Sequence, residues 1–403
     1  MPDLTMHVCR KYLMTQSDKT PSRHIANPMD SSALRVARGA QALAADKLFR
    51  IGDTELREPD YRQIAKWAKT LHMTSEEVLH ILMETHIDLA FGEKICHLEI
   101  REGYVKTLVL DTNKLPLASF DWEPDLHIET LGIKGPMPHW DRALLPLREL
   151  GCREAGLTEL DLTPVPQLTE LYCDRNQLTQ LDLTPVPQLT KLWCDENRLT
   201  ELDLTPVSQL AELYCNQNWL TNLDLTPVPL LETLFCSENP LSDLDLTPVP
   251  QLTMLLCSQN QLTSLDLVPV PQLKKLWCHE NRLTDLDLTP VPRLEWLNCL
   301  GNQLTDLYLT PVPQLDGLCC YKNQLTDLDL SPVPKLESLD CRANQIAELD
   351  LTALPRLKNL ACSGNQLAEL DLSPIPQLTN MACYKNQLIT LDLTPVPQLR
   401  TLS

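Results

Sequence analysis

Two ladders of reactive side chains run through most of this 403-residue chain. Cys173, Cys194, Cys215, Cys236, Cys257, Cys278, Cys299, Cys320, Cys341, Cys362 and Cys383 stand 21 residues apart, and Cys152 extends the series backwards. Thiols in such number invite a metal or redox reading. Zinc needs four ligands converging on one point, with short local pairs such as C-x-x-C, and here each thiol is alone among leucines. Disulfides between in-register neighbours would need the side chains turned out of a core. Reduced thiols packed as small hydrophobes fit the pattern better, and no metal or cofactor is expected. Cys319, beside Cys320, falls in an outward position and is expected to be an exposed thiol.

The second ladder is Asp161, Asp182, Asp203, Asp224, Asp245, Asp266, Asp287, Asp329, Asp350, Asp371 and Asp392, with Tyr308 in place of one aspartate. Its eleven members supply more than half of the formal net charge of -20. Like charges about 5 Å apart repel by roughly 1 kcal/mol per pair in water. Donation from the following Thr and from free turn N–H groups is the expected compensation. Calcium is the sharper alternative, but calcium-binding β-rolls use glycine-rich loops and these turns lack glycine.

Both ladders mark one repeat, L-x-x-L-x-C-x-x-N-x-L-T-x-L-D-L-T-P-V-P-Q, from Leu147 onward. The motif resembles the leucine-rich-repeat family, in the short bacterial class, with Cys where Leu often stands. The resemblance implies a solenoid with a parallel β-sheet on its concave side, an extended or 3-10 convex side and little helix. It implies roughly fourteen coils about 4.8 Å apart. It also implies a non-enzymatic scaffold that binds protein, in some members as a bacterial effector.

The organisation expected is an irregular segment over 1–50, a small helical module over 51–92, irregular repeats forming an N-terminal cap over 93–146, and regular repeats over 147–403. A helix is expected at 32–49. In the helical module Tyr61, Ile64, Trp67, Ala68 and Leu71 share one face. Thr74 to Glu77 read as a capping box for a second helix that buries Val78, Leu79, Ile81 and Leu82. The Asn column from Asn176 to Asn386 sits where each coil leaves the strand, and an amide there can satisfy buried turn groups. The prolines, 32 against 11 glycines, fix φ and favour an extended return. The last coil stops mid-strand at Ser403, an edge read as open or as a site of self-association.

In a strand, alternate residues face opposite sides. Leu171 and Cys173 therefore point inward, and Tyr172, Trp193, Tyr214, Phe235, Leu256 and Trp277 outward, as an expected exposed stripe. Aromatics make up only 5 % of the chain, so their clustering marks a binding surface. Glu170, Lys191 and Trp296 flank it on one side, and Asp195, His279 and Tyr321 on the other. The expected partner is a protein, a basic one by charge. Nucleic acid and membrane surfaces are disfavoured by the acidic field. No apolar run reaches the roughly 20 residues of a membrane span, and no secretory h-region opens the chain. A cytoplasmic setting, or delivery into a host cell without a classical signal peptide, follows.

Catalytic signatures such as G-x-S-x-G, H-E-x-x-H or a phosphate-binding glycine loop do not occur, and His279-Glu280 reads as a lone surface pair. The competing function is regulatory, with the 51–92 module as output or DNA contact and the repeats as sensor. Glu76 and Glu77 at the start of its second helix would meet phosphates badly.

Overall fold

The computed structural model describes residues 49–51, 54–84, 87–88, 94–95, 99–101, 104–111, 119–120, 128–135, 139–140 and 147–403. It divides into two units, 1–155 and 156–403.

In the first unit, strands β1 (Phe49–Ile51) and β2 (Thr54–Leu56) form a hairpin. Two helices follow, α1 (Glu58–Leu71) and α2 (Ser75–Glu84). The capping box forms: the Thr74 N–H donates to Glu77 Oε2 at 2.7 Å and the Glu77 N–H to Thr74 Oγ1 at 3.1 Å. Val78, Leu79 and Leu82 are buried, Ile81 only partly. The buried face of α1 is turned from the expected one. Asp60 and Gln63 join Ile64, Trp67 and Ala68 inside, while Tyr61 and Leu71 stay half-buried. Asp60 is drawn in because its Oδ2 accepts the Val105 N–H at 3.2 Å.

Short strands β3 (Ile87–Asp88) and β4 (Lys94–Ile95) pair, as do β7 (Ser119–Phe120) and β9 (His139–Trp140). Strand β5 (Glu99–Arg101) runs antiparallel to β6 (Tyr104–Asp111). From β6 the sheet continues in parallel through β8 (Thr130–Lys134) and β10 (Glu149–Gly151). The expected helix at 32–49 lies outside the described residues, except for Phe49, which opens β1.

The second unit is the regular array. Twelve parallel strands follow one per coil: β11 (Glu170–Tyr172), β12 (Lys191–Trp193), β13 (Glu212–Tyr214), β14 (Thr233–Phe235), β15 (Met254–Leu256), β16 (Lys275–Trp277), β17 (Trp296–Asn298), β18 (Gly317–Cys319), β19 (Ser338–Asp340), β20 (Asn359–Ala361), β21 (Asn380–Ala382) and β22 (Thr401–Leu402). Each residue pairs with the one 21 positions on, as Leu171 with Leu192. One coil cannot bury its own apolar side, so its leucines must be covered by the next. Leu171, Cys173, Leu178, Val186 and Leu189 are all 0 % exposed.

The returns contain no helix. Each T-P-V-P run folds into consecutive tight turns, for example Val186 N–H to Leu183 O at 3.0 Å and Leu189 N–H to Val186 O at 3.1 Å. Proline fits because neither turn needs its missing N–H.

The asparagines bind coil to coil. Asn197 Nδ2 donates to Cys194 O at 3.1 Å and to Cys173 O at 3.0 Å, while its Oδ1 accepts the Leu178 N–H at 3.0 Å. The same set recurs from Asn218 to Asn365. The aspartates also bond as expected: Asp182 Oδ1 accepts the Thr184 N–H at 2.9 Å, and its neighbours do likewise. These Thr donors hold the carboxyls of Asp182, Asp203 and Asp224 below the usual carboxylate range.

Candidate functional site

The strand face opposite the Leu and Cys columns carries every residue singled out from the sequence except Asp195, His279 and Tyr321, which stand just past the strand ends. Register brings Tyr172, Trp193, Tyr214, Phe235, Leu256 and Trp277 into one line. Their rings meet edge to face, Tyr172 on Trp193 and Trp193 on Tyr214 at 4.7 Å, Tyr214 on Phe235 at 4.8 Å.

The stripe is not open, contrary to the sequence expectation. Tyr172, Trp193, Phe235 and Trp277 are only 2–3 % exposed and Tyr214 8 %, with Leu256 half-buried. Rings this large at one coil's spacing pack against one another and cover each other's faces. The hydroxyls turn aside: Tyr172 Oη donates to Glu170 at 2.7 Å, and Tyr214 Oη to Glu212 at 3.2 Å.

The flanking residues divide by what holds them. Lys191 lies between two carboxylates, 3.9 Å from Glu170 and 3.6 Å from Glu212, and all three are half-buried. Trp296 is buried and lies flat over Gly317, where an added Cβ would stand 2.0 Å from the ring. Tyr321 is half-buried beneath Arg342, whose guanidinium carbon is 4.8 Å from the ring centre and which grips Asp340 at 2.6 Å.

Asp195 and His279 belong to a polar ladder along the strand ends. The Asn216 N–H donates to Asp195 Oδ1 at 2.6 Å, the Ser237 N–H to Asn216 Oδ1 at 2.7 Å, and the Ser258 N–H to Ser237 Oγ at 2.9 Å. Ser258 Oγ then meets His279 Nδ1 at 2.7 Å. Burial, with the nearby charge of Asp174, pushes the Asp195 carboxyl up to about 8. Burial brings His279 down to about 4. His279 is therefore a half-buried bonded group and not a surface pair with Glu280.

Cys319 is 5 % exposed, so the exposed-thiol expectation fails. Its in-register neighbours Asn298 and Asp340 flank it on both sides. The thiols of the ladder form no disulfide, and desolvation pushes those from Cys194 to Cys383 up, Cys236 and Cys299 to about 12. At neutral pH they are protonated and unreactive. Among the described residues no group of three or more His, Cys, Asp or Glu is placed to hold a metal ion, and no helix is long and apolar enough to cross a membrane.

Of the exposed aromatics, only Tyr308 stands out in the sequence, as the gap in the aspartate ladder and not as a binding residue. Tyr308 is 75 % exposed, Trp219 56 % and Tyr384 50 %. Each replaces a polar residue in its column, which is the signal that could have found them. They stand in three different columns and make no continuous patch.

Comparison with known proteins agrees with this geometry. The family pattern for Leucine Rich repeats (2 copies) matches residues 250–290. The solved functional domain of InlJ from Listeria monocytogenes, which includes a cysteine ladder, is 36 % identical with a TM-score of 0.57. That match covers 62 % of this chain and 61 % of the Listeria chain, so this protein spans about three-fifths of its relative. YopM from Yersinia enterocolitica is 27 % identical over 73 % of this chain and 72 % of its own, with a TM-score of 0.53. A leucine-rich-repeat protein of Leptospira interrogans shares the fold at 18 % identity, with a TM-score of 0.60 over 73 % of this chain and 95 % of its own. The comparison with curated proteins finds no match. The chain thus folds as a leucine-rich-repeat solenoid, and its cysteine ladder is similar to that of the Listeria domain.

Proposed function

We propose that this chain is a non-enzymatic scaffold that holds a partner protein against the strand face of its array. One observation carries the reading. Across the coils the Leu, Cys, Asn and Leu-Asp-Leu positions hardly vary, while the outward strand positions change from coil to coil. The position after the central Leu runs Tyr172, Trp193, Tyr214, Phe235, Leu256, Trp277, Asn298, Cys319, Asp340, Ala361, Ala382. Packing alone would repeat one solution, whereas a recognition surface must differ along its length.

The buried rings act as the platform, and the half-exposed Glu170, Lys191, Glu212, Met254 and Leu256 touch the partner. The net charge of -20 favours a basic partner and speeds its approach at low salt. The buried thiols, joined in no disulfide, fit work in a reducing cytoplasm, bacterial or host. Likeness to bacterial chains makes an effector role the natural extension of this reading.

The test uses the full chain and a displayed library of random 12-residue peptides as probe. Lys191→Glu and Leu256→Glu each weaken the selected peptides tenfold or more. The paired change Asp203→Lys with Asp224→Lys, on the Leu-Asp-Leu segments, does not. The reverse pattern would overturn the proposal.

A further inference from the structure

Several cations on or beside the strand face are paired within the molecule. Lys191 sits between Glu170 and Glu212, Arg342 holds Asp340, and Lys358 reaches Glu337 at 2.7 Å. Lys275 is 8 % exposed and so the most buried lysine of that face, yet no carboxylate of the described residues lies within 4.0 Å of it. Glu295 and Asp316 act on it only at longer range, and burial holds its ammonium below the usual lysine value. A buried charge without a close partner is costly, and proteins rarely keep one idle.

A second unmet donor stands beside it. Trp277, two residues along the same strand, is 3 % exposed, and its indole Nε1–H finds no acceptor in the described residues. Residues i and i+2 of a strand face the same side, roughly 7 Å apart at the backbone. In the next coil, Trp296 is in register with Lys275, and its ring lies down across Gly317. An ammonium and an indole N–H thus share one face, next to a flat aromatic surface. A carboxylate accepts two such donors at once, and its apolar stem suits the ring.

We propose that Lys275 and the Trp277 N–H receive an Asp or Glu side chain of the docked protein. The assignment rests on the strand face being the docking surface. It also refines the partner's chemistry. The acidic field rejects a strongly acidic chain, so the anchor is a single carboxylate in a neutral or basic segment. Specificity then comes from combining a local attraction with a global repulsion.

The peptides selected on the full chain provide the test. They share one acidic position, and changing it to the matching amide weakens binding tenfold or more. Lys275→Gln weakens the acidic peptide equally and leaves the amide version unchanged. Trp277→Phe, which keeps the ring and removes the N–H, costs the acidic peptide a few-fold, and Lys274→Gln stays within twofold. Equal binding of acid and amide, or full binding by Lys275→Gln, overturns the pocket. If Lys191→Glu and Leu256→Glu weaken binding while Lys275→Gln does not, only the pocket is lost. If none of the three matters, the docking face is lost as well. Folding gives an independent check: Lys275→Met keeps or raises the melting temperature, and a drop of several degrees would show that the ammonium is already paired.

Discussion

A single amide shows how little slack one coil has. Asn260 donates to Cys257 O and Cys236 O, both at 3.1 Å, and accepts the Leu241 N–H at 3.1 Å. Asn260→Ala strands these buried groups at about 1–3 kcal/mol each, so urea unfolding should show a loss of at least 2 kcal/mol. A change below 0.5 kcal/mol would contradict the ladder's role. A second residue-scale test lies two positions after each ladder Cys, where the backbone is left-handed at Glu196, Gln217, Glu238 and Ala343, with φ from 44 to 55°. Only Gly301 and Gly364 suit it, at φ 64 and 69°. An L-residue there costs roughly 1 kcal/mol, so Ala343→Gly should stabilise and Gly364→Ala destabilise by about that much. The third concerns pH. Asp195, with its carboxyl raised to about 8, keeps its proton in the folded chain where the unfolded chain has lost it above 3.8. Its contribution is therefore largest at low pH and falls away as pH rises towards 8. Asp195→Asn should flatten stability across that window and be the more stable protein at pH 8. An unchanged pH profile would refute the assignment.

At the scale of elements, period was far easier to read than depth. The 21-residue spacing placed the strands of the regular array, and alternation within L-x-x-L-x-C told which residues face the core. Alternation could not say how far an outward ring stands from solvent. Tyr172 to Phe235 are outward yet buried because each ring has another 4.7–4.8 Å away, a consequence of coil spacing rather than of any one strand. Asp195 and His279 misled for a related reason: charged types suggest surface, but hydrogen bonds from the neighbouring coil hold them in. The left-handed column left almost no trace, since Glu, Gln and Lys are not the residues expected there. In α1, the reach of Val105 from 45 positions away turned Asp60 inward, beyond any local pattern. The ring platform makes its own prediction. Trp193→Ala should cost about 3 kcal/mol of stability, as large-to-small core changes do, and weaken docking through the altered surface. A fully stable Trp193→Ala protein would mean the rings support nothing.

For the whole molecule, the two units differ in kind. Among the described residues, the first unit carries two helices, and the second repeats one coil without a helix. A repeat array gains stability between neighbours, so its outward positions can change with little harm to the stack. That freedom is what a recognition surface uses. The acidic field adds a kinetic signature: association with a basic ligand should slow steeply as salt rises. The docking face itself is tested most directly by hydroxyl-radical footprinting of the full chain, alone and with a selected peptide. Met254 and Tyr321 flank the ring column, while Tyr308 and Trp219 stand exposed elsewhere. Oxidation of Met254 and Tyr321 should fall on binding while Tyr308 and Trp219 stay as reactive as before. Protection of Tyr308 with Met254 unchanged would contradict the account.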